Sequence, residues 1–340
     1  MVLLQSDYLE GACPEVLARL AATNEQQTPG YGEDTYCEEA RDMIRSICQA
    51  PDAAVHFLVG GTQANRTVLA SILRPHQGVL SADSGHIAAH ETGAIENSGH
   101  KVLTLPSTAG KITGAQVEKY CAAHFADSSF EHMVQPGAVY ISNPTEIGTI
   151  YTHSELEELY GSCRKWNLPL YIDGARLGCA LYCEENDYTL SEMAQLCDVF
   201  TIGGTKMGAL FGEAVVIMNP RLQPDFRYYI KQNGGMFAKG RLLGLQFLAL
   251  LEDGLYERVA RHELELAMQL KRGLLAKGYE FYVDSPTNQQ FPIFSLETAK
   301  KIQEDFCYSL IEDRGETQVV RFCTSWCTRP EDIDALLAKL

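Results

Sequence analysis

The chain has 340 residues, of which 46% are hydrophobic and 21% are charged, a composition typical of a globular protein with room for one large and one smaller domain. Its 28 basic and 44 acidic residues give a net charge of −16, which argues against binding nucleic acid or an anionic membrane through a general positive field. Positive charge at any site for an anionic ligand therefore has to be local.

The first residues and the eleven cysteines bear on location and on metal binding. The N-terminus lacks a basic segment followed by a long apolar run, so we expect no signal peptide. No stretch of about 18 apolar residues predicts a membrane span. The pairs Cys179/Cys183 and Cys323/Cys327 lack a matching second pair of ligands, so no metal site is predicted. We expect a cytoplasmic protein with reduced thiols.

The pattern of the first 73 residues predicts an arm, a helix, and then a strand that is followed by another helix. Residues 1–30 form the arm, with a helix over 14–22, and a second helix covers 35–50. An apolar strand over 53–59 gives way, at a pair of glycines, to a helix over 64–73. Its turn carries Gly61, Thr62 and Gln63. Free backbone N–H groups and the positive end of a helix predict a cradle for an anion such as phosphate there.

Further strands and helices follow in alternation. Strands are predicted over 79–82, 101–105 and 138–142, and helices over 113–125 and 154–166. The repeated strand–helix order predicts an α/β fold with a mostly parallel, seven-stranded sheet, helices on both faces and right-handed crossovers.

Two short apolar runs, over 170–172 and 199–202, predict neighbouring buried strands that end in chemically useful residues. Asp173 follows the first run, and Lys206 follows the second through a glycine-rich turn. Ligands of open α/β sheets bind at this edge. Alone, Asp173 is typical of a helix cap and Lys206 of a solvated side chain. Together they are what a pyridoxal phosphate enzyme needs, a lysine for a Schiff base and an acid that keeps the pyridine nitrogen protonated.

The pattern changes after residue 216. A basic, aromatic segment covers 227–236, and a long helix covers 241–276 with a break near Asp253 and Gly254. Strands are then predicted over 279–283, 290–294 and 317–323, and helices over 297–306 and 330–340. We therefore predict a large domain over residues 1–240, including the arm, and a small α+β domain over 241–340.

Three segments together resemble the threonine aldolase family. They are YGED at residues 31–34, DGAR at 173–176, and the strand that leads through GGTK into MGALFGEAVV at 207–216. The family has the fold type I of the aspartate-aminotransferase-like pyridoxal phosphate enzymes. The resemblance extends from Gln5 to Phe322, and it implies that fold and pyridoxal 5′-phosphate as cofactor on Lys206.

The resemblance also implies roles for residues outside the two strand ends. His86 is expected to stack on the pyridine ring, and His132, eleven residues before Asn143, to approach the substrate's β-hydroxyl. Either histidine, directly or through water, would take the β-hydroxyl proton, which makes both of them catalytic candidates together with Lys206. Gly61, Thr62 and Gln63 would hold the cofactor phosphate. The remaining implied site residues comprise three that hold the substrate carboxylate and a tyrosine near the cofactor, namely Ser6, Arg176, Arg321 and Tyr31. Where the family has a basic residue that reaches the cofactor phosphate, this chain has Phe237. Lys231, Lys239 and Arg241 are the candidates to take over that contact.

The implied function is retro-aldol cleavage of the Cα–Cβ bond of β-hydroxy-α-amino acids, with L-threonine or L-allo-threonine giving glycine and acetaldehyde. The implied assembly is a homodimer or homotetramer. Two alternatives stay open: a β-eliminating lyase or aminotransferase acting on another amino acid, and a non-catalytic relative of the fold. The presence of Asp173, Lys206, Arg176 and Arg321 together argues against the second alternative.

Overall fold

The computed structural model describes residues 1–340. Its N-terminal part, the arm and the residues that follow it, holds a short strand and two helices. These are β1 (Val2–Leu3), α1 (Pro14–Ala22) and α2 (Thr35–Ile47). A helix cap starts α2, because the side chain of Asp34 accepts a hydrogen bond from the backbone N–H of Cys37. The arm is fixed at its start as well, since β1 pairs in parallel with residues 306–307 near the far end of the chain.

The central sheet has seven strands, and the predicted mostly parallel arrangement is confirmed. In chain order the strands are β2 (Ala54–Leu58), β3 (Gln77–Ala82), β4 (Val102–Leu105), β5 (Gln135–Ser142), β6 (Leu170–Asp173), β7 (Val199–Gly203) and β8 (Glu213–Ile217). Their order in the sheet is β2-β8-β7-β6-β5-β3-β4, and only β8 runs antiparallel to its neighbours. The carboxyl ends of the other six strands therefore meet at one edge.

Helices cover both faces of this sheet. They are α3 (Gly61–Ile72), α4 (His86–Ala89), α5 (Ala94–Asn97), α6 (Gly114–Ala126), α7 (His153–Lys165), α8 (Leu177–Tyr182), α9 (Leu190–Gln195) and α10 (Phe226–Gln232), with 3₁₀ turns at Phe130–His132 and Pro220–Leu222. Successive side chains of a strand point to opposite faces. Accordingly Leu170 and Ile172 join one hydrophobic core, whereas Tyr171 joins the core on the other face.

The C-terminal part is a small α+β unit. It contains α11 (Arg241–Leu251), α12 (Leu255–Ala276), β9 (Gln289–Gln290), β10 (Ile293–Ser295), α13 (Leu296–Gln303), β11 (Phe306–Cys307), β12 (Ser309–Asp313), β13 (Thr317–Cys323) and α14 (Pro330–Lys339). A 3₁₀ turn at Glu252–Gly254 separates α11 from α12 at the predicted break, where Asp253 and Gly254 have φ values of 52° and 68°. None of the helices combines the length and the apolar character needed to cross a membrane.

One predicted strand of this unit is wrong. Residues 279–283 form no strand, and only an isolated bridge joins Phe281 to Pro292. Two backbone hydrogen bonds flank this bridge, from Tyr282 N to the carbonyl of Phe291 at 2.9 Å and from Ile293 N to the carbonyl of Glu280 at 2.8 Å, and the pairing does not continue beyond them. Instead β13 pairs with β10, β12 and β9, and β12 was not predicted.

The packing of α11 and α12 bears on the predicted boundary at residue 240. Helix α11 contributes Leu243 and Phe247 to the large core that also contains the sheet. The separate C-terminal core takes Leu266 and Leu270 from α12, together with Leu4 from the arm. This packing favours a boundary within α12, with the start of the arm belonging to the small unit.

Candidate active site

A cavity of about 300 Å³ lies at the carboxyl edge of the central sheet. Its walls come from segments that follow β2, β3, β5, β6 and β7, from the first residue of β8, and from the arm. The residues that bring polar side chains or glycine backbone to the lining are Tyr8, Gly60, Gly61, Thr62, His86, Ser142, Thr145, Glu146, Asp173, Arg176, Thr205, Lys206 and Glu213. Because β6 and β7 are adjacent and parallel, Asp173 and Lys206 reach the same cavity although 33 positions separate them (206 − 173).

Asp173 is held rigidly at the end of β6. Its Oδ2 accepts hydrogen bonds from the Tyr140 hydroxyl at 2.7 Å and from Asn65 Nδ2 at 2.9 Å. Its Oδ1 accepts a third from the backbone N–H of Ala175 at 3.0 Å. Tyr140 and Asn65 are fully buried, and Asp173 is 5% exposed. A carboxylate with three donors and no cation in hydrogen-bond contact is fixed in direction and keeps its negative charge for a bound ligand.

A chain of buried polar groups connects Asp173 to His86. Asn65 Nδ2 also donates to Glu91 Oε1 at 2.7 Å, and the same oxygen lies 2.7 Å from His86 Nδ1. Tyr171 orients Asn65, because its hydroxyl donates to Asn65 Oδ1 at 2.6 Å. Partial burial lowers the pKa of His86, but the hydrogen bond to Glu91 and the charge of Asp173 outweigh it and raise the pKa above the usual histidine value.

Lys206 is half-buried and has no hydrogen-bond or ion-pair partner; its Nζ lies 5.9 Å from the ring centroid of Tyr8. Desolvation, and next the positive charge of Arg176, lower the pKa of Lys206 below the usual lysine value. A lowered pKa increases the fraction of free amine, the form that attacks an aldehyde. Beside it, burial and then the charge of Asp173 raise the pKa of Glu213 to about 8.

Arg176 forms a two-pronged ion pair with Asp7 of the arm. Its Nε lies 2.5 Å from Asp7 Oδ2 and its Nη2 lies 3.0 Å from Oδ1. The side chain of Asp7 has no solvent exposure, that of Arg176 has 13%, and Asn288 Nδ2 donates to Asp7 at 2.8 Å. The pair therefore joins the arm, the large domain and the small domain at the wall of the cavity. Nη1 of Arg176 has no partner in the chain.

We expect Asp7→Ala to lower the free energy of unfolding by about 3–5 kcal/mol, because Arg176 would keep a buried charge without its partner. Burial alone would raise the pKa of Asp7, but Arg176 and Lys206 lower it to about 2. The stabilisation is therefore present above the pKa of an unfolded aspartate and is lost as the pH falls towards 2. Urea unfolding measures the difference, which should shrink between about pH 5 and pH 2.

A matched control for that variant is Glu15→Ala. Glu15 pairs with Arg258 at 3.9 Å on the surface, where both side chains are more than half exposed. Such a pair contributes at most about 1 kcal/mol. Equal losses of stability in the two variants would contradict the importance of the buried pair.

The residues of the cavity fit pyridoxal 5′-phosphate, the cofactor that the resemblance implies. The N-terminal N–H groups of Gly61, Thr62 and Gln63 have no acceptor in the chain, and a Cβ added at Gly60 or Gly61 would enter open space. These groups suit a phosphate, since helix α3 begins there. Lys206 offers an unpartnered amine for the aldehyde, and Asp173 a fixed carboxylate for the pyridine nitrogen.

Five predicted site residues lie outside the lining of this cavity: Ser6, Tyr31, Gln63, His132 and Arg321. Ser6 is buried beside Asp7. The amide of Gln63 closes the cradle, accepting from Val59 N and donating to the carbonyl of Asn233, both at 3.1 Å.

Tyr31 and Arg321 have other surroundings. Tyr31 is 48% exposed, has a φ of 62° and lies under Lys231, whose Nζ is 5.2 Å from the ring centroid. Arg321 Nη2 donates to the carbonyl of Gln5 at 3.0 Å, whereas its Nε is buried without a partner. Arg321 thus keeps an unused donor next to the arm.

Of the two predicted histidines, only His86 lines the cavity that this chain forms, and the role of His132 stays a prediction. His132 is exposed in the 3₁₀ turn at Phe130–His132, which precedes β5. The cavity lies at the other end of that eight-residue strand, where Ser142 contributes to its wall. At about 3.3 Å per residue, the strand holds His132 more than 20 Å away.

The three basic residues that could contact the cofactor phosphate differ in whether their side chains already have hydrogen-bond partners. Arg241 is only 8% exposed, and its Nη1 and Nη2 donate to the carbonyl of Gln26 and the hydroxyl of Thr23 at 2.7 and 3.0 Å. It is therefore committed to the arm. Lys231 and Lys239 are exposed.

Sequence reasoning missed Asp7, Asn65, Tyr140 and Glu146. Asn65 and Tyr140 lie inside a helix and a strand, where their spacing is indistinguishable from core positions. Glu146 did offer a signal, since it follows a strand end as Asp173 does.

Comparisons with known proteins agree with this geometry. The family model for beta-eliminating lyases matches residues 4–295. The low specificity L-threonine aldolase of Pseudomonas sp. (strain NCIMB 10558) is 32% identical over 344 aligned positions, covering 98% of this chain and 96% of that protein. A second such aldolase, from Pseudomonas aeruginosa, is 33% identical and covers 97% of this chain and 94% of its own.

Solved structures agree as well. A threonine aldolase structure from Leishmania major superposes with a TM-score of 0.96 at 42% identity, covering 99% of this chain and 98% of that one. An aspartate aminotransferase variant from Thermus thermophilus, 14% identical with a TM-score of 0.70, covers 99% of this chain and 95% of its own and shares the fold alone. The predicted fold type I of pyridoxal phosphate enzymes is confirmed, and the chain belongs to the beta-eliminating lyase family.

Proposed function

We propose that this protein is a pyridoxal 5′-phosphate-dependent aldehyde-lyase that cleaves the Cα–Cβ bond of β-hydroxy-α-amino acids, with L-threonine and L-allo-threonine as substrates. The observation that carries the proposal is the unpartnered amine of Lys206 in one cavity with the rigidly held carboxylate of Asp173. The names of the Pseudomonas and Leishmania relatives, which are threonine aldolases, support the choice of reaction.

The bound cofactor would supply a carbonyl for a Schiff base on Lys206 and a pyridinium ring that stabilises negative charge at the substrate's Cα. Asp173 would keep the ring nitrogen protonated through its fixed negative charge. The N–H groups at Gly61, Thr62 and Gln63 would hold the phosphate, and His86 would lie against the ring.

Binding of the substrate carboxylate would fall to the arginines beside the arm. Arg176 would use its free Nη1, since Asp7 occupies its other two donors. Arg321, beside the arm, would add a second guanidinium, and Ser6 would add a hydroxyl. This arrangement would fix the Cα–Cβ bond relative to the ring, which selects the bond that breaks.

The proposal extends to assembly and location as expectations. We expect a homodimer or homotetramer in which Tyr31 and a basic residue near 231–241 approach a cofactor. We also expect a cytoplasmic protein.

The direct test is to incubate the purified protein and added cofactor with L-threonine, L-allo-threonine and L-serine in separate reactions. We expect acetaldehyde and glycine in equal amounts from the first two substrates, measured by aldehyde reduction coupled to NADH oxidation and by amino acid analysis. Pyruvate and ammonia from serine without aldehyde from threonine would favour a β-eliminating lyase. Amino transfer to a keto acid would favour an aminotransferase, and absence of a visible absorption band would favour a non-catalytic relative.

A further inference from the structure

We propose that Glu146 is the catalytic base that accepts the β-hydroxyl proton of the substrate. The proposal rests on the proposed function, since only a β-hydroxy-α-amino acid bound at Lys206 presents such a proton. Within this chain, His132 lies at the opposite edge of the sheet and does not line the cavity, whereas Glu146 does.

Glu146 lies in the turn that follows β5 and lines the cavity. Its Oε1 accepts the backbone N–H of His86 at 2.8 Å and the hydroxyl of Ser142 at 2.5 Å. Its Oε2 has no hydrogen-bond partner and is not among the buried unpartnered oxygens. One oxygen therefore fixes the carboxylate in place, and the other faces the open volume where a substrate would lie.

The other titratable groups at the cavity are less suited to accept the proton, because of their hydrogen bonds, burial or charge. Asp173 receives three hydrogen bonds, and Glu213 is 3% exposed with its Oε2 buried. His86 uses Nδ1 for Glu91, and its raised pKa favours the protonated imidazole, which cannot accept a proton. Lys206 is the amine that binds the cofactor, and Arg176 stays charged.

The surroundings of Glu146 also change its pKa in the direction that favours proton transfer. Burial raises the pKa of Glu146, although the hydrogen bond from Ser142 opposes the rise. A carboxylate with a raised pKa is a stronger base and transfers a proton more readily near neutral pH. No lysine or arginine forms an ion pair with it, so the negative charge is not neutralised by a fixed cation.

The step balances with groups already named. Glu146 Oε2 takes the β-hydroxyl proton, the O–H electrons form the carbonyl of the leaving aldehyde, and the Cα–Cβ electron pair stays on Cα, where a bound cofactor ring would stabilise it. A proton from solvent then reaches Cα to give glycine, and Glu146 releases its own proton to solvent through the open cavity. No oxidant or further reactant is required.

The variant Glu146→Gln keeps an acceptor for His86 N–H and Ser142 while it removes the base. We expect kcat for threonine cleavage to fall by about 10²-fold, the contribution of a positioned base. Exchange of the glycine α-proton in D₂O, followed by NMR, uses the cofactor and Lys206 but no β-hydroxyl. We expect this exchange, and the visible absorption of bound cofactor, to be retained.

The two measurements separate the possible failures. An equal fall of cleavage and exchange would show that Glu146 acts only in structure, and unchanged cleavage would show that another group is the base; either result overturns the proposal. If the wild type exchanges the glycine proton but releases no aldehyde from threonine, the proposed function fails instead.

A second variant tests the same assignment without touching the carboxylate. Ser142→Ala removes the hydrogen bond that lowers the pKa of Glu146, so the pKa should rise. Because the base works deprotonated, the acid limb of the kcat profile should move to higher pH. An unmoved limb would contradict the assignment, with His86, Asp173 and Glu213 as the remaining groups that could set it.

Discussion

Lys206→Ala is expected to abolish both cleavage of threonine and exchange of the glycine α-proton, with a loss of at least about 10³-fold in kcat. The reason is that Lys206 is the only amine at the cavity, and its lowered pKa and missing partner suit it to attack an aldehyde. The variant should also lose the visible absorption that borohydride reduction fixes covalently in the wild type. Assays of kcat, spectra and the mass of the reduced protein measure these effects.

The control for this variant is Lys165→Ala. Lys165 is a surface residue, 60% exposed at its side chain, that pairs with Glu118. We expect unchanged kcat and unchanged absorption there. Retention of cleavage in Lys206→Ala would refute the assignment of the amine and with it the proposed chemistry.

Asp173→Asn is expected to lower kcat by about 10³-fold, comparable to removal of one preorganised electrostatic group. The amide lacks the negative charge that would keep the cofactor nitrogen protonated, and its NH₂ group would meet a donor on at least one side, because Tyr140, Asn65 and Ala175 all donate to the wild-type carboxylate. Weaker cofactor binding should accompany the loss, which absorbance titration measures.

The same buried network predicts a loss of stability for Asp173→Ala. Removing the acceptor leaves one buried Asn65 N–H unsatisfied, at a cost of about 1–3 kcal/mol, whereas the Tyr140 hydroxyl keeps Ser142 Oγ at 3.1 Å as a partner. Asp198 offers a matched control at the opposite edge of the sheet, where its carboxylate accepts from Leu170 N at 2.9 Å and Asn219 Nδ2 at 2.7 Å. We expect Asp198→Asn to destabilise the fold while the kcat of folded protein stays unchanged. A similar kcat loss there would show that the Asp173 effect is merely structural.

The strand ends were accessible to sequence reasoning because they depend on local pattern. Apolar runs of three and four residues bounded by turn residues indicated β6 and β7, and the parallel arrangement then placed Asp173 and Lys206 at one edge. Strand geometry also explains why His132 does not reach this cavity. Counting back along the chain from Asn143 crosses a whole strand, and an extended strand carries the residue away from the edge instead of towards it.

Residues joined by tertiary contacts were not accessible in this way. Asp7 meets Arg176 across 169 positions, and Asn65 meets Asp173 across 108. No spacing rule relates such pairs, since the fold alone brings them together. In the small unit, β9 and β10 were likewise poorly defined by pattern, because two- and three-residue strands carry too little periodicity.

The pairing of β1 with β11 sets a limit on when this enzyme becomes complete during synthesis. The arm is synthesised long before its partners: its strand waits for residues 306–307, and Asp7 waits for Asn288 before its contacts are complete. Contacts of such long sequence separation form late, after the loop between them is closed. A nascent chain can therefore build the sheet with Asp173 and Lys206 before it possesses a finished substrate pocket, whose wall is completed only after Asn288 and residues 306–307 have been synthesised.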